Sequence, residues 1–355
     1  MDLHTAIAVS MLPGGRARTA AAFKSLREYS AATLDGVLDA LAIPSEEQSA
    51  IASVARHAAD AALAAARAAD MEPVSCFDAR YPALLACVTD PPPVLWVRGN
   101  TDALARPSVA IVGSRAATPY ALQVAARLGA ELAERGLVVT SGLARGVDSA
   151  AHRGCLDAGG LTTAVLGSGL DRIYPPEHAE LAGRIARQGI VVSELGPGGA
   201  PLPEHFPLRN RIISGVSLGV VVVEASEQSG SLITARCALE QGRDVLAVPG
   251  SVLTGRNRGS HALLKDGAKV VETADDILEE LGWPQASDRL PAAPRKPLDS
   301  DGLLSRMEPG EVYGLDELVA SSGMQPSRIL RRLTELELAG YVSSAGGGRF
   351  MRLVT

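Results

Sequence analysis

Residues 218–225 read LGVVVVEA, a run in which four consecutive valines follow a glycine and precede a carboxylate. A strand that is apolar at every position is buried on both faces, which is typical of a parallel sheet covered by helices. Similar short apolar runs alternate with helical stretches between about residues 105 and 282; they are 108–112, 137–140, 162–166, 190–193 and 244–248. This alternation predicts an α/β fold with a Rossmann-like, doubly wound and mostly parallel sheet.

Two smaller blocks flank the predicted sheet domain, which we place at 71–282. Residues 1–70 are rich in alanine and carry apolar residues at helical spacing, which predicts a small helical domain. Its Pro13-Gly14-Gly15 turn fits either a helix-hairpin-helix contact with DNA or a plain connector. Residues 283–300 hold four prolines and no apolar period, so we expect a linker there, followed by a third domain at 301–355.

The third domain has the element order of a winged helix. Two amphipathic helices, 315–322 and 327–339, enclose a turn that contains Pro326, and two short strand-like runs follow. Residues 301–355 contain six basic and seven acidic side chains, a net charge of 6 − 7 = −1, which is poor for duplex affinity. Arginines 328, 331 and 332 nevertheless crowd one helix, so both a weak duplex contact and a protein interface stay open.

Overall composition excludes several classes of protein. The chain has 355 residues, enough for two or three domains, and 34 basic and 40 acidic side chains give a net charge of −6. Any site for a polyanion must therefore be a local patch. The apolar runs fall far short of the ~20 residues that a membrane helix requires, so we expect a cytoplasmic protein without membrane contact. Cysteines 76, 87, 155 and 237 lack CxxC spacing, which argues against disulfides and a metal site.

The first predicted strand leads into a loop suited to phosphate. In open parallel sheets, ligands bind beyond the carboxyl ends of the strands. Here Gly113 allows close approach of the backbone, Arg115 supplies a cation, and Thr118-Pro119 opens a helix whose start carries positive potential. The GxGxxG motif is absent, and Thr140-Ser141 follow the second strand in place of a ribose-binding carboxylate, which argues against an NAD enzyme.

Other loops carry further candidate ligands. The segment SGLARGVDSAAH at 141–152 contains Asp148, which is either a helix cap or a direct ligand. Ser229-Gly230-Ser231 stands at a helix start, where bare amides are suited to hold a phosphate. Arg256 and Arg258 lie beside glycines in a loop that is either cationic and flexible or simply solvated.

The segment HFPLRNR at 205–211 combines an aromatic residue with cations in a chain that has only 4 Phe and 2 Trp. Phe206 beside Arg209 and Arg211 offers a face on which a base stacks while its phosphate is neutralised. The alternative is that Phe206 fills the core and the arginines form salt bridges. Since no GxSxG, HExxH or GxxxxGK[ST] motif appears, binding is favoured over catalysis, and no cofactor is predicted.

Taken in order, these segments resemble the DNA-processing protein A family, also called DprA or Smf. The matching strings include VAIVGSR at 109–115, TSGLARGVDSAAH at 140–152, TTAVLGSGLDRIYP at 162–175, FPLRNRIISG at 206–215 and VVVEASEQSGSLITARCALEQGR at 221–243. The resemblance, from about Tyr81 to about Leu281, implies a non-enzymatic Rossmann-like domain that binds single-stranded DNA without sequence preference. It also implies a homodimer that helps load a RecA-type recombinase during natural transformation.

The resemblance and the loop chemistry together assign DNA contacts to three motifs and one helix start. The assigned residues are Gly113, Ser114, Arg115, Ser141, Gly142, Leu143, Ala144, Phe206, Arg209, Asn210, Arg211, Ser229, Gly230 and Ser231. The flanking blocks resemble the SAM-like or helix-hairpin-helix and winged-helix modules of many family members. Three departures show: His178 and His261 replace expected asparagines, and Pro203-Glu204-His205 lacks a basic residue that some members carry.

Two rival functions fit parts of the pattern. A phosphoribohydrolase of the lysine-decarboxylase-like (LOG) group uses a related sheet, but its PGGxGTxxE motif is replaced here by EASEQSGSLITA at 224–235. A transcription regulator would fit the winged helix and would require sequence-specific duplex binding.

Overall fold

The computed structural model describes residues 2–12, 33–283, 302–338, 341–346 and 348–353, and every structural statement below refers to these residues. The chain divides into two compact units, one formed by residues 1–116 and 125–283 and the other by residues 117–124 and 284–355. The predicted turn at Pro13-Gly14-Gly15 and most of the predicted linker, 284–300, lie outside the described residues.

The described residues form one large sheet of nine strands. The strands are β1 (Glu72–Ser75), β2 (Val94–Gly99), β3 (Ser108–Val112), β4 (Val138–Ser141), β5 (Thr162–Leu166), β6 (Ile190–Ser193), β7 (Gly219–Val222), β8 (Asp244–Ala247) and β9 (Lys269–Val270). Their order is β1-β2-β6-β5-β4-β3-β7-β8-β9. The seven strands β3 to β9 are parallel to one another, whereas β2 is antiparallel to both of its neighbours, β6 and the edge strand β1. The predicted Rossmann-like, mostly parallel sheet is therefore confirmed.

Helices precede this sheet and connect its strands. They are α1 (Leu3–Ser10), α2 (Leu34–Ala40), α3 (Ser45–Ala68), α4 (Ala83–Ala86), α5 (Asp102–Ala105), α6 (Pro119–Glu134), α7 (Val147–Asp157), α8 (Ala179–Gln188), α9 (His205–Gly215), α10 (Ser231–Glu240), α11 (Arg258–Lys265) and α12 (Ala274–Glu280). A short 3₁₀ turn at Pro176–His178 precedes α8.

The strand order reverses next to β3. Strands β4, β5 and β6 lie on one side of β3, and β7, β8 and β9 lie on the other. Where the connections from two neighbouring strands run in opposite directions, a crevice opens at the carboxyl ends of those strands. Ligands bind in this crevice in such sheets. Backbone hydrogen bonds hold this crevice together, since Ser114 N donates to Glu224 O at 2.7 Å and Val147 N donates to Ser114 O at 3.2 Å.

The amino-terminal helices share an apolar cluster with the sheet. Ile7 of α1 and Leu38 of α2 are fully buried in the same cluster as Trp96 of β2 and Ile185 of α8. Burial of an indole removes about 150–250 Å² of surface from water and makes Trp96 a major contributor to this cluster. The described amino-terminal helices thus bury their apolar faces against the sheet. The domain boundary at residue 70 stays a prediction.

The second unit contains a short three-stranded sheet and two helices in its described part. Its elements are a 3₁₀ turn (Leu304–Arg306), β10 (Val312–Gly314), α13 (Leu315–Ser322), α14 (Pro326–Leu338), β11 (Val342–Gly346) and β12 (Arg349–Arg352). The antiparallel order β10-β12-β11 confirms the winged helix. Arg331 and Arg332 of α14 lie 3.3 and 2.8 Å from the Glu335 carboxylate, so two of the three crowded arginines have a local counterion.

None of the helices in the described ranges has both the length and the apolar character that crossing a bilayer requires.

His152, on α7, is a fully buried titratable side chain. Its Nδ1 lies 2.7 Å from Thr162 Oγ1, and that hydroxyl donates to Val139 O at 2.6 Å. Because the hydroxyl proton is used, the imidazole donates from Nδ1, and its buried Nε2 has no hydrogen-bond partner among the described residues. Burial lowers the pKa of His152 to about 3.

Stability should therefore fall in mild acid. Between pH 6.5 and about 3, the unfolded chain binds a proton at His152 that the folded chain does not bind. The free energy of unfolding should drop by up to ~1.4 kcal/mol per pH unit over that window. Urea unfolding followed by circular dichroism at several pH values measures the slope. His152→Asn, which keeps a donor near the Nδ1 position, should flatten it; an unchanged slope would contradict this assignment.

Candidate nucleic-acid interface

A cavity of about 570 Å³ opens at the carboxyl edge of the sheet, beside the reversal of strand order. The loops after β3, β4, β5, β6 and β7 all contribute to its lining. Ten of the predicted site residues line it: Gly113, Ser114, Arg115, Ala144, Phe206, Arg209, Asn210, Ser229, Gly230 and Ser231. The structure thus brings together loops that lie more than 100 residues apart in the chain.

An exposed cation and two aromatic rings meet in this cavity. The Arg115 guanidinium carbon lies 5.6 Å from the centroid of the Phe206 ring. The ring of Tyr174 lies 5.3 Å from that of Phe206, centroid to centroid, at an interplanar angle of 48°. None of the ion pairs among the described residues involves Arg115, so its charge is available to a ligand. Aromatic faces beside a cation suit a stacked base and its phosphate.

Tyr174 lines the cavity, although it is not among the predicted site residues. It lies within the matching string 162–175, directly before a proline in the loop after β5. A tyrosine in a loop that follows a predicted strand is the signal that would have identified it. Gly167, at the end of β5, leaves room for the ring pair, because a Cβ there would lie 2.9 Å from Phe206 Cδ1.

Arg209 is buried in the wall of the cavity. Its Nη1 donates to Gly142 O at 2.6 Å and also to Val165 O, and a Cβ on Gly142 would collide with the guanidinium. Burial lowers the pKa of Arg209 to about 10, an effect that Asp148 opposes, so the side chain stays charged at neutral pH. These two carbonyls occupy Nη1, whereas the buried Nε has no hydrogen-bond partner among the described residues, and the phosphate contact expected of Arg209 stays a prediction.

Asp148 organises the loop at Ser141–Ala144. Its Oδ2 accepts hydrogen bonds from Gly142 N at 3.1 Å and Ala144 N at 3.3 Å. Burial raises the pKa of Asp148, and the charge of Arg209 and the two amides oppose that shift. Helix α7 begins at Val147 with Gly146 as its N-cap residue, so Asp148 is not the helix cap. Its carboxylate satisfies the loop amides.

The remaining polar groups of this loop also have partners inside the protein. Ser141 Oγ donates to Ile111 O at 2.6 Å. Leu143, buried at a left-handed φ of +58°, has its carbonyl held by His178 Nδ1 at 2.8 Å. These polar groups of Ser141, Gly142 and Leu143 support the loop itself, and the direct DNA contacts expected of the three residues stay predictions. His178, a departure from the family pattern, takes part in this support.

Arg211 lies outside the cavity lining. Its Nη2 lies 2.7 Å from Glu194 Oε1 and its Nε lies 2.8 Å from Asp90 Oδ2, while only 9% of its side chain is exposed. The salt-bridge alternative thus describes Arg211, and its expected phosphate contact is revised for the same reason. A buried arginine held by two carboxylates has little charge to offer a further anion.

The start of α10 completes the opposite wall. Asn210 Nδ2 donates to Gly230 O at 3.4 Å, and the Ser229 and Ser231 hydroxyl oxygens lie 2.7 Å apart. The N-cap residue of this ten-residue helix is Gly230, and the first-turn amides have partners within the protein: Ser231 N donates to Ser229 Oγ at 3.4 Å, Leu232 N to Ser229 O at 3.1 Å and Ile233 N to Gly230 O at 3.2 Å. The positive dipole end of the helix still favours an anion in the cavity.

Metal-ligating side chains do not gather at this site. Within the described ranges, no group of three or more His, Cys, Asp or Glu residues could hold a metal ion.

Comparison with known proteins identifies close relatives of the chain. The family model for DNA recombination-mediator protein A matches residues 72–282, and the DprA winged helix domain model matches residues 285–348. Protein Smf of Escherichia coli is 42% identical over 282 residues, covering 77% of this chain and 75% of the relative. DNA processing protein DprA of Streptococcus pneumoniae is 47% identical over 206 residues, covering 58% and 73%.

Two solved structures share this fold and are related to the chain in sequence. The X-ray structure of DprA from Streptococcus pneumoniae gives a TM-score of 0.70 at 37% identity, covering 79% of this chain and 98% of the other. A structure of DprA from Helicobacter pylori, described by its single-stranded DNA binding mode, gives a TM-score of 0.54 at 30% identity, covering 59% and 95%.

Replacement of Arg209 separates a structural role from a direct contact. Arg209→Ala leaves Asp148 buried opposite no positive charge, so we expect a loss of about 3–5 kcal/mol in the free energy of unfolding, measured with urea. Arg184→Ala, which removes a partly exposed arginine far along α8, should change stability by less than about 0.5 kcal/mol. Loss of ligand binding in an Arg209→Ala variant of unchanged stability would instead support a direct contact between Arg209 and the ligand.

Proposed function

We propose that this chain, which belongs to the DNA recombination-mediator protein A family, binds single-stranded DNA without sequence preference at the carboxyl edge of its large sheet. The observation that carries the proposal is the cluster of Arg115, Phe206 and Tyr174 in one cavity. The proposed DNA site consists of these three side chains with Gly113, Ser114 and Ala144, and with Ser229, Gly230 and Ser231 at the start of α10.

The chemistry of the cavity favours a single strand over a duplex. The cavity presents aromatic ring faces beside a cation, and an aromatic ring can stack only on a base that is not already stacked between its neighbours in a duplex. Contacts to phosphate and to ring faces carry no information about base identity. Arg209 and Asn210 take supporting roles in this proposal, because they bond to the backbone carbonyls of Gly142 and Gly230, whereas Arg211 pairs with Glu194 and Asp90 outside the cavity lining.

The wider role follows from the family. We infer that the protein is a non-enzymatic, cytoplasmic homodimer that protects incoming single strands and helps load a RecA-type recombinase in natural transformation. Relatives named DNA processing protein DprA and the Helicobacter pylori structure described by single-stranded DNA binding support this inference.

The winged-helix unit contributes little to duplex affinity in this proposal. Arg331 and Arg332 share the Glu335 carboxylate, and residues 301–355 have a net charge of −1. Binding to duplex depends on cations that are free to replace condensed counterions. Any duplex contact by this unit should therefore be weak.

Removal of the Arg115 charge tests the phosphate contact. For Arg115→Gln, the plot of log affinity for a dT oligonucleotide against log salt should become shallower by about 0.7, the contribution of one phosphate on a single strand. Fluorescence anisotropy at several NaCl concentrations measures the slope, with Arg184→Gln as a control of equal charge. Parent-like slope and affinity would refute the contact. Free base released from a nucleoside monophosphate would instead favour the rival hydrolase.

Removal of the rings tests stacking. Phe206→Ala and Tyr174→Ala should each weaken binding by roughly 1–3 kcal/mol per stacked base, with the salt slope unchanged, because no charge is removed. The loss should be similar for dT and dA oligonucleotides, measured by the same titration. Phe77→Ala removes a partly exposed ring outside the cavity lining and should bind as the parent does. A strong dependence on base identity would argue for sequence readout instead.

A further inference from the structure

Arg145 lies beside the aromatic pair, immediately after the loop at Ser141–Ala144. It lines a small cleft of about 30 Å³ together with Arg115, Tyr174 and Phe206. Those three residues also line the main cavity, so the cleft continues the same surface toward Arg145. A strand that stacks on Phe206 and Tyr174 therefore passes within reach of a second arginine.

The Arg145 guanidinium is held by one carboxylate. Its Nε lies 2.5 Å from Glu177 Oε1, with 57% of the Arg145 side chain and 49% of the Glu177 side chain exposed. This bond raises the pKa of Arg145 and lowers the pKa of Glu177, so both groups are charged at neutral pH. A guanidinium has five N–H donors, and the hydrogen bonds of the described residues use one of them here.

Solvent exposure of an arginine–carboxylate pair decides whether a phosphate group can replace the carboxylate. Arg211 is also paired with a glutamate, but its side chain is 9% exposed and held by a second carboxylate, so a ligand has no access to it. The pair of Arg145 is solvated, and solvated ion pairs contribute little to stability. Phosphate presents a planar pair of oxygens to the arginine fork and competes well for such a group.

We propose that Arg145 is a second phosphate-binding arginine of the site. Glu177 holds the Arg145 guanidinium until a phosphate of the DNA backbone takes the place of the Glu177 carboxylate. Glu177 then makes the site selective. Its negative charge repels small anions, and it releases Arg145 to a DNA strand that is already bound at Arg115 and the two rings. This inference rests on the proposed function and identifies a further phosphate contact within it.

Four proteins and a dT oligonucleotide test the exchange by anisotropy over a series of NaCl concentrations. Arg145→Gln should weaken binding at low salt by about tenfold, the order of one charge-assisted hydrogen bond, and make the salt slope shallower by about 0.7. Glu177→Gln should tighten binding by roughly two- to fivefold, the order of an exposed ion pair. In the double variant, the gain from Glu177→Gln should disappear, because the arginine that it releases is gone.

The Arg184–Asp157 pair provides matched controls. It is also exposed, with Arg184 Nη2 2.6 Å from Asp157 Oδ1, and it joins the end of α7 to α8, outside the lining of the cavity and the cleft. Arg184→Gln and Asp157→Asn repeat the two charge changes and should leave affinity and slope close to those of the parent. Circular dichroism and thermal unfolding establish that each variant is folded.

The outcomes separate this inference from the proposed function. Unchanged affinity and slope for Arg145→Gln, beside a weakened Arg115→Gln, would overturn the role of Arg145 alone. Equal tightening by Glu177→Gln with and without Arg145 would also overturn it, because Glu177 would then act only by general repulsion. A parent protein that fails to bind the oligonucleotide would overturn the proposed function and this inference together.

Discussion

The buried charges of Arg209 and Asp148 are the constraint on which the rest of the site depends. Each is costly to remove from water, and each is compensated by the other's charge and by backbone groups of the loop at Ser141–Ala144. Arg209 holds the carbonyl of Gly142, and Asp148 holds the amides of Gly142 and Ala144. The loop is thereby fixed from both sides, and a glycine at 142 is required because no Cβ fits beside the guanidinium.

This fixed loop positions the exposed part of the site. The backbone bond from Val147 to Ser114 ties the start of α7 to the loop that carries Arg115. Phe206 and Arg209 lie one turn apart on α9, so the helix that supplies the buried cation also supplies the ring. Rigid placement of Phe206 and Arg209 matters because a DNA strand that is bound through few contacts is bound more tightly when those contacts need no rearrangement of the protein.

Arginine serves three different purposes within this one region. Arg209 and Arg211 are buried and satisfy carbonyls or carboxylates, Arg115 is exposed and faces a ring, and Arg145 is exposed and held by a glutamate. A net charge of −6 is therefore compatible with a cationic cavity, since what a polyanion meets is the local arrangement of accessible charges. The same reasoning explains why the arginine-rich helix α14 presents little net charge beside Glu335.

Hydrophobic pattern alone determined the architecture of this protein. The valine run at 220–223 and its counterparts predicted six of the seven parallel strands, since a strand covered on both faces must be apolar throughout. Strands β1, β2 and β9 were not predicted, because β1 contains a proline, β9 has two residues, and β2 lies outside the alternating pattern. The loops that gather at the cavity were also predicted, because their position after parallel strands places them at one edge. Tertiary structure alone decided which side chains in those loops are accessible. Arg209 and Arg211 look equivalent in sequence and both are buried, yet residues distant in the chain give them different partners. Arg209 donates to the carbonyls of Gly142 and Val165, whereas Arg211 pairs with the carboxylates of Glu194 and Asp90.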